Sequence, residues 1–224
     1  MPKVQRPPLS RRFYARDPRI VARELLGKVL VRQRGRRVLA GRIVEVEAYL
    51  GEGDLAAHAA AGKTERNEVL FGPPGHAYVY FIYGNHYCLN VSCERAGKAG
   101  CVLIRALEPL EGLDRMAANR DLEPCAEWPA HPKLARALTS GPGRLCEALD
   151  ITRAENGKDV TDARSDLFIA NDGFRPRRVA TTPRIGITRD AQHALRYVLA
   201  ENQFVSGPRK SATQRTQRFH EGSP

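Results

Sequence analysis

The stretch Ala77-Tyr-Val-Tyr-Phe-Ile-Tyr83, then Gly84-Asn85, then His86-Tyr-Cys-Leu-Asn-Val-Ser92, constrains the fold more than any other part of the chain. Aromatic and β-branched residues, present almost throughout, suit a pleated and half-buried surface. Two such runs joined by Gly-Asn predict a tight β-hairpin with Tyr83 at or near its tip. A tyrosine there has few neighbours to bury it. It either folds back over its own sheet as an edge aromatic or is displayed to a partner.

A second stretch, Gly41-Arg-Ile-Val-Glu-Val-Glu-Ala-Tyr-Leu50, alternates with period two. Val44, Val46 and Ala48 fall on one face, and Ile43, Glu45, Glu47 and Tyr49 on the other, the pattern of a strand with one side in the core. Side chains two positions apart leave a strand in the same direction, about 6.6 Å from each other. Glu47 and Tyr49 therefore set a carboxylate beside a flat ring, either as a base next to a binding surface or as two solvated groups on a half-exposed strand. A third strand, Gly100 to Leu107, carries a single charge, Arg105, within an apolar run. Burying a charge alone is costly, so Arg105 requires a carboxylate on a neighbouring strand, a bound anion or a polar substrate.

The remaining elements are expected around these three. Asp17-Pro18 starts a helix with Ile20, Val21 and Leu25 as its apolar stripe and Gly27 at its end. Lys28 to Arg32 is a strand that returns through a turn at 33–37 into the Gly41 strand. Leu50 to Gly75 is irregular and contains His58; long loops commonly carry function, although a loop histidine can equally be an ordinary surface residue. Helices are predicted from Glu108 to about Asn119, over Leu134 to Leu138, from Pro142, and from Asp190 to about Leu199. Strands are predicted around Leu167 to Ala170 and over Arg184 to Ile187. Exposed amides at the start of the Pro142 helix, with Arg144 nearby, suit a backbone phosphate.

A chain of 224 residues forms one good core, and one domain is expected. Its 36 Lys and Arg against 25 Asp and Glu leave a net charge of +11. Such a surplus favours a polyanion, nucleic acid first, unless it only solubilises the ends, where Arg6, Arg11, Arg12, Arg209, Lys210, Arg215 and Arg218 lie. No apolar run reaches the length of a membrane span, and no apolar stretch follows the first residues as in a secretory signal. Five cysteines without a C-x-x-C pair fit a reducing compartment better than a disulfide framework or a zinc site. No P-loop or G-x-G-x-x-G phosphate fingerprint is present. Residues 1–12 are expected to be a flexible basic arm, residues 13–206 the folded domain, and residues 207–224 a disordered basic tail.

Taken together, these blocks resemble the alkyladenine (3-methyladenine) DNA glycosylase family from about Phe13 to Ser206. The resemblance rests on Ala22 to Val31, Ile43 to Leu50, Ala57-His58, Phe71 to Gly84, Tyr87 to Val91, Val102 to Gly112, Leu138 to Gly143 and Pro183 to Gly186. It implies a mixed α/β (α+β) single domain, a curved and mainly antiparallel sheet with peripheral helices and a protruding hairpin that inserts into DNA. It also implies a monofunctional base-excision-repair enzyme acting on double-stranded DNA with damaged purines. Such an enzyme flips an alkylated or deaminated purine (3-methyladenine, 7-methylguanine, hypoxanthine or ethenoadenine) out of the duplex and hydrolyses its N-glycosidic bond, leaving an abasic site.

By the same match Tyr83 is the wedge that fills the vacated stack. Tyr49, His58 and Tyr80 hold the flipped base, and stacking is worth about 1–3 kcal/mol per base. Glu47 is the general base for water, with Arg105 and the backbone carbonyl of Ile185 as its partners. Asn90 excludes purines bearing a 2-amino group. Glu45, as a strand-mate of Glu47, is expected to matter much less. The family needs no metal or cofactor, because alkylation already makes the purine a good leaving group. A monomer is expected, cytoplasmic with the nucleoid or nuclear according to the organism.

Two departures stand out: Asn85 replaces the long residue relatives often carry beside the wedge, and Thr64 to Glu68 is acidic where relatives often are not. Two other readings compete, a nucleic-acid-binding protein of the same fold without catalysis and a hydrolase of free nucleosides. The first gives no reason for Glu47 with Arg105, and the second none for the Tyr83 tip or the basic surplus.

Overall fold

The computed structural model describes residues 7–82, 84–125, 128 and 131–207 and the backbone of 216–217. Tyr83, the first six residues of the expected arm and the tail beyond Gly207, apart from that short backbone piece, lie outside the described residues.

The sheet is built around β2 (Arg37–Tyr49), whose length lets it take three partners. β5 (Cys101–Glu111) runs antiparallel along one edge of it. The opposite edge is shared: β1 (Val29–Arg34) pairs with Arg37 to Arg42, and β8 (Arg196–Leu199) pairs with Glu45 to Glu47. The change of partner falls at Val44, where the register against β5 shifts on either side of Glu45. Bulges of this kind bend and twist a strand. Here the bend also places Ile43 with Val44 in the main core, so Ile43 does not share a face with Glu45 and Glu47 as the simple alternation predicted.

β3 (Ala77–Ile82) and β4 (His86–Ser92) form the expected hairpin, in register from Ala77 opposite Val91 to Ile82 opposite His86, and β4 lies against β5. β7 (Val179–Thr182) extends the sheet from β8, the backbone of β9 (Thr216–Gln217) pairs with β7, and β6 (Leu167–Ala170) pairs with β1. The result is a single domain with a curled antiparallel sheet and few helices. The helices are α1 (Arg11–Tyr14), α2 (Pro18–Leu25), α3 (Leu113–Ala118), α4 (Pro132–Thr139) and α5 (Pro142–Ala148). Among the described residues no helix is long and apolar enough to cross a membrane.

Alternation along the strands divides the residues into two apolar layers. Val44, Val46, Ala48, Val79, Leu89, Val91, Val102 and Ile104 pack into the main core with α2 and α5. The opposite face gives a smaller cluster rich in aromatic residues: Tyr78, Tyr80, Cys88, Cys101 and Leu103, with Tyr49 against it. The loop after β2 covers this second face, and the candidate site lies there.

Several local expectations change. α2 is capped by Asp17 as predicted and buries Val21 and Leu25, but Ile20 points to solvent and Ala22 takes its place in the stripe. Glu108 to Glu111 continue β5 and do not begin a helix; Pro109, which has no N–H to donate, sits opposite the irregularity at Gly41, and Gly112 with φ 81° turns the chain into α3. Arg184 to Ile187 is a loop, since Gly186 has φ 76° and the Ile185 N–H is used by a side chain. Asp190 has φ 48°, outside the extended range of an N-cap, and the chain after it forms β8 rather than a helix. Within the stretch expected to be an N-terminal arm, Pro8 bridges to Ala170, the Leu9 N–H donates to the Ile169 carbonyl, and Arg11 donates to the Pro74 carbonyl.

Candidate active site

Glu47 and Tyr49 share the second face with residues from three neighbouring strands. Register brings Glu47 opposite Leu103 and Tyr49 opposite Cys101, Leu103 opposite Asn90, and Asn90 opposite Tyr78. Tyr80 follows two positions along from Tyr78, and Arg105 two along from Leu103. The loop from 50 to 75 places His58 against this face, with its ring edge-on to Tyr80 at 4.4 Å between centroids. Together these groups surround a cavity of about 470 Å³, which is also lined by Gly141 to Arg144 at the start of α5 and by Ile185 to Ile187. Tyr49, His58, Tyr80, Asn90, Arg105 and Ile185, all named from the sequence, line this one cavity.

Glu47 is completely buried, directly behind three residues that line the cavity, Tyr49, Arg105 and Ile185. Its Oε1 accepts from the Ile185 N–H at 2.8 Å and faces the Arg105 guanidinium at 3.3 Å. Its Oε2 accepts from the Tyr49 hydroxyl at 3.0 Å. An ionised carboxylate oxygen has two acceptor positions, so Oε2 retains one beyond Tyr49. Ile185 meets Glu47 through its amide N–H, a contact separate from the water-placing role expected of its carbonyl. Burial and the adjacent Glu47 raise the Tyr49 phenol above its ordinary value, so it remains a donor. Burial works against the charge on Arg105, but Glu47 and Glu45 outweigh it and hold the guanidinium's pKa above normal. The lone charge in the apolar strand is thus paired across the sheet.

His58 Nδ1 lies 2.9 Å from the Tyr78 hydroxyl. Burial, and secondarily Arg66, lower the His58 pKa, which favours the neutral ring. Tyr78, pushed up to about 12 chiefly by burial, keeps its proton, and the direction of its hydrogen bond with Nδ1 follows the His58 tautomer. Asn90 is buried, with its Nδ2 donating to the Tyr78 carbonyl at 3.2 Å and its Oδ1 facing the Cys101 thiol at 3.8 Å. Close approach between the hairpin and α5 depends on Gly143, where a Cβ would come within 2.9 Å of the His86 ring.

Further residues hold the site: Arg184, Asp54, Asn67 and Arg196, to which sequence reasoning gave no role, and Glu45, expected only as a minor strand-mate of Glu47. Arg184 lies behind Tyr49, its guanidinium carbon 4.6 Å from the ring centroid. It donates to both oxygens of buried Asp54 at 2.7 and 2.8 Å and to the Ala48 carbonyl. Asp54 in turn accepts from the Leu50 and Ala56 N–H groups, which folds the loop back at its start. Asn67, buried within the Thr64 to Glu68 departure, donates to the His58 and Gly62 carbonyls and so fastens the loop that carries His58. Glu45 is not a bystander: it is completely buried and accepts from Arg105 and Arg196. One signal was present in the sequence, since Arg184 lies in the Pro183 to Gly186 block that carried the resemblance.

Comparison with known proteins agrees with this geometry. Residues 12–203 match the family described as Methylpurine-DNA glycosylase (MPG). The chain is 62% identical over 207 residues to a protein of Koribacter versatilis, covering 92% of this chain and 96% of that one. It is 50% identical over 192 residues to one of Methanocella arvoryzae (85% and 90%) and 44% identical over 198 residues to one of Carboxydothermus hydrogenoformans (88% and 98%). All three are named "Putative 3-methyladenine DNA glycosylase". The chain belongs to the methylpurine-DNA glycosylase family.

Proposed function

We propose that this protein hydrolyses the N-glycosidic bond of alkylated or deaminated purines flipped out of duplex DNA. The observation that carries this reading is the buried Glu47 carboxylate, fixed by the Ile185 N–H, Arg105 and the Tyr49 hydroxyl, whose residues line a cavity rich in aromatic rings. A flipped purine stacks among Tyr49, His58 and Tyr80, and Asn90 at the floor crowds a 2-amino group. Glu47 takes a proton from water, whose oxygen attacks C1′ of the sugar. The electrons of the C1′–N bond pass to the purine, so a base that carried a positive charge leaves neutral. A neutral one such as hypoxanthine leaves as an anion that takes up one proton from solvent, matching the one Glu47 removed from water. His58, neutral in the folded protein, adds no charge against a cationic purine.

Release of base from a duplex with a single hypoxanthine or 1,N6-ethenoadenine, and from methylated DNA, tests the reading directly. Free inosine serves as control. Abasic sites in the duplex with inosine untouched are expected; binding without release supports the non-catalytic alternative, and cleavage of inosine the nucleoside hydrolase.

Tyr83, the proposed wedge, falls between β3 and β4 in the sequence and outside the described residues. Tyr83→Ala removes a ring worth about 1–3 kcal/mol of stacking, so kcat/KM on duplex is expected to fall about 5- to 150-fold. The loss should be much smaller on a lesion in single-stranded DNA, where no stack is opened. Equal losses on the two substrates would assign Tyr83 to the pocket or the sheet. If the basic surface tracks phosphates, binding to undamaged duplex should weaken linearly in log salt, with a slope of about −0.9 per phosphate neutralised. A flat response would locate the charge surplus away from the interface.

A further inference from the structure

Glu45 stands two residues before Glu47 on the same side of β2 and is completely buried, but unlike Glu47 it has no hydrogen bond with Tyr49 or Ile185, which line the cavity. Its Oε1 accepts from Arg105 Nε at 3.0 Å, Arg196 Nε at 2.7 Å and the Ser206 hydroxyl at 2.9 Å, and its Oε2 accepts from the Ser206 N–H at 2.6 Å. Arg196 is held at its other end, where Nη1 donates to Thr182 Oγ1 and Nη2 to the Ser206 carbonyl. Arg105 spans the two carboxylates, with Nε on Glu45 and Nη1 at 3.3 Å from Glu47. Two carboxylates thus face two guanidiniums, and the four charges cancel.

We infer that Glu45 is a positioning residue, a second carboxylate that holds Arg105 by Nε so that only one end of its guanidinium meets Glu47. The inference rests on the reading of Glu47 as the base. A guanidinium is a planar, rigid fork, so fixing the direction of Nε fixes where Nη1 points. Left with Glu47 alone, the fork would turn both nitrogens onto that carboxylate, occupy its free acceptor positions and bind its charge more tightly. Each change makes Glu47 a poorer acceptor for the proton of water. Arg196 balances the charge that Glu45 would otherwise leave on the shared arginine.

The groups facing this pair set the conditions of the test. Glu47 meets Tyr49 on its own strand, Arg105 from β5, the Ile185 N–H from its loop, Cys88 from β4, and Arg184 behind Tyr49. Glu45 meets Arg105, Arg196 and Ser206. Two variants, Glu45→Gln and the double variant Glu45→Gln/Arg196→Gln, are compared with wild type by urea unfolding and by single-turnover excision of hypoxanthine from duplex across pH. Glu45→Gln leaves two guanidiniums against one carboxylate; lower stability, excision down about 10- to 100-fold and an acid limb moved to lower pH are expected. The double variant restores neutrality, so stability should recover while excision stays low and the acid limb stays displaced. It decides the matter even if the single variant fails to fold. Recovery of excision together with stability, or an acid limb unmoved in both variants, overturns the inference and makes Glu45 a structural ion-pair partner. A wild-type protein that released no base would instead overturn the proposed function.

Discussion

Glu47→Gln is expected to bind lesion DNA and excise almost nothing. The amide keeps the shape of the carboxylate and its oxygen can still accept from the Ile185 N–H, while its NH2 faces the Tyr49 hydroxyl, which must turn to accept. The amide cannot take a proton from water at neutral pH. Excision should fall by roughly 10²-fold or more. The substitution also changes the local charge, since Arg105 and Arg196 would then face Glu45 alone. A duplex carrying neutral hypoxanthine should therefore bind within a few-fold of wild type, and one carrying a cationic methylpurine should bind less well. Gel shift against each duplex and single-turnover base release check both parts. Excision within a few-fold of wild type would remove Glu47 from the mechanism.

The strands that build the site were the most legible part of the sequence, and the reason is local. Alternation over 41–50 depends on nearest neighbours, and it placed Glu47 and Tyr49 on one face before any pairing was known, whereas Tyr80 and Asn90 came from the resemblance and join that face only through strand register. Spacing alone could not say which of two carboxylates to propose as the base, because Glu45 and Glu47 look identical in a period-two pattern. What separates them is where their partners come from. Glu45 meets Arg196 and Ser206, about 150 and 160 residues further on by number, through a strand where a helix was expected. Ile43 was misplaced for a related reason: the bulge at Val44 arises from the exchange of β1 for β8, which no local pattern records. Loops misled in the same way. Arg184 to Ile187 contains two isoleucines and reads as a strand, yet Arg184 turns inward to Asp54, 130 residues away, and Gly186 takes a left-handed backbone.

That distant pair supports the other large expected effect. The side chains of Arg184 and Asp54 are almost wholly buried, at 0% and 1% exposure, so removing one leaves a buried charge without its partner. Breaking such a pair costs about 3–5 kcal/mol, whereas removing both charges costs much less. Arg184→Met should therefore lower the unfolding free energy by about 3–5 kcal/mol, and Arg184→Met/Asp54→Asn should recover a large part of it. Recovery cannot be complete, because both Asp54 oxygens also accept backbone N–H groups at Leu50 and Ala56 and an amide presents only one acceptor oxygen. The double variant also lacks the cation behind the Tyr49 ring and the tie to the Ala48 carbonyl, so its affinity for lesion DNA should stay below wild type even where its stability returns. Urea unfolding of the three proteins and gel shifts on a hypoxanthine duplex separate these effects. If Arg184→Met unfolds within about 0.5 kcal/mol of wild type, the range of an ordinary surface substitution, the pair does not fasten the loop and Tyr49 must be held by its other neighbours.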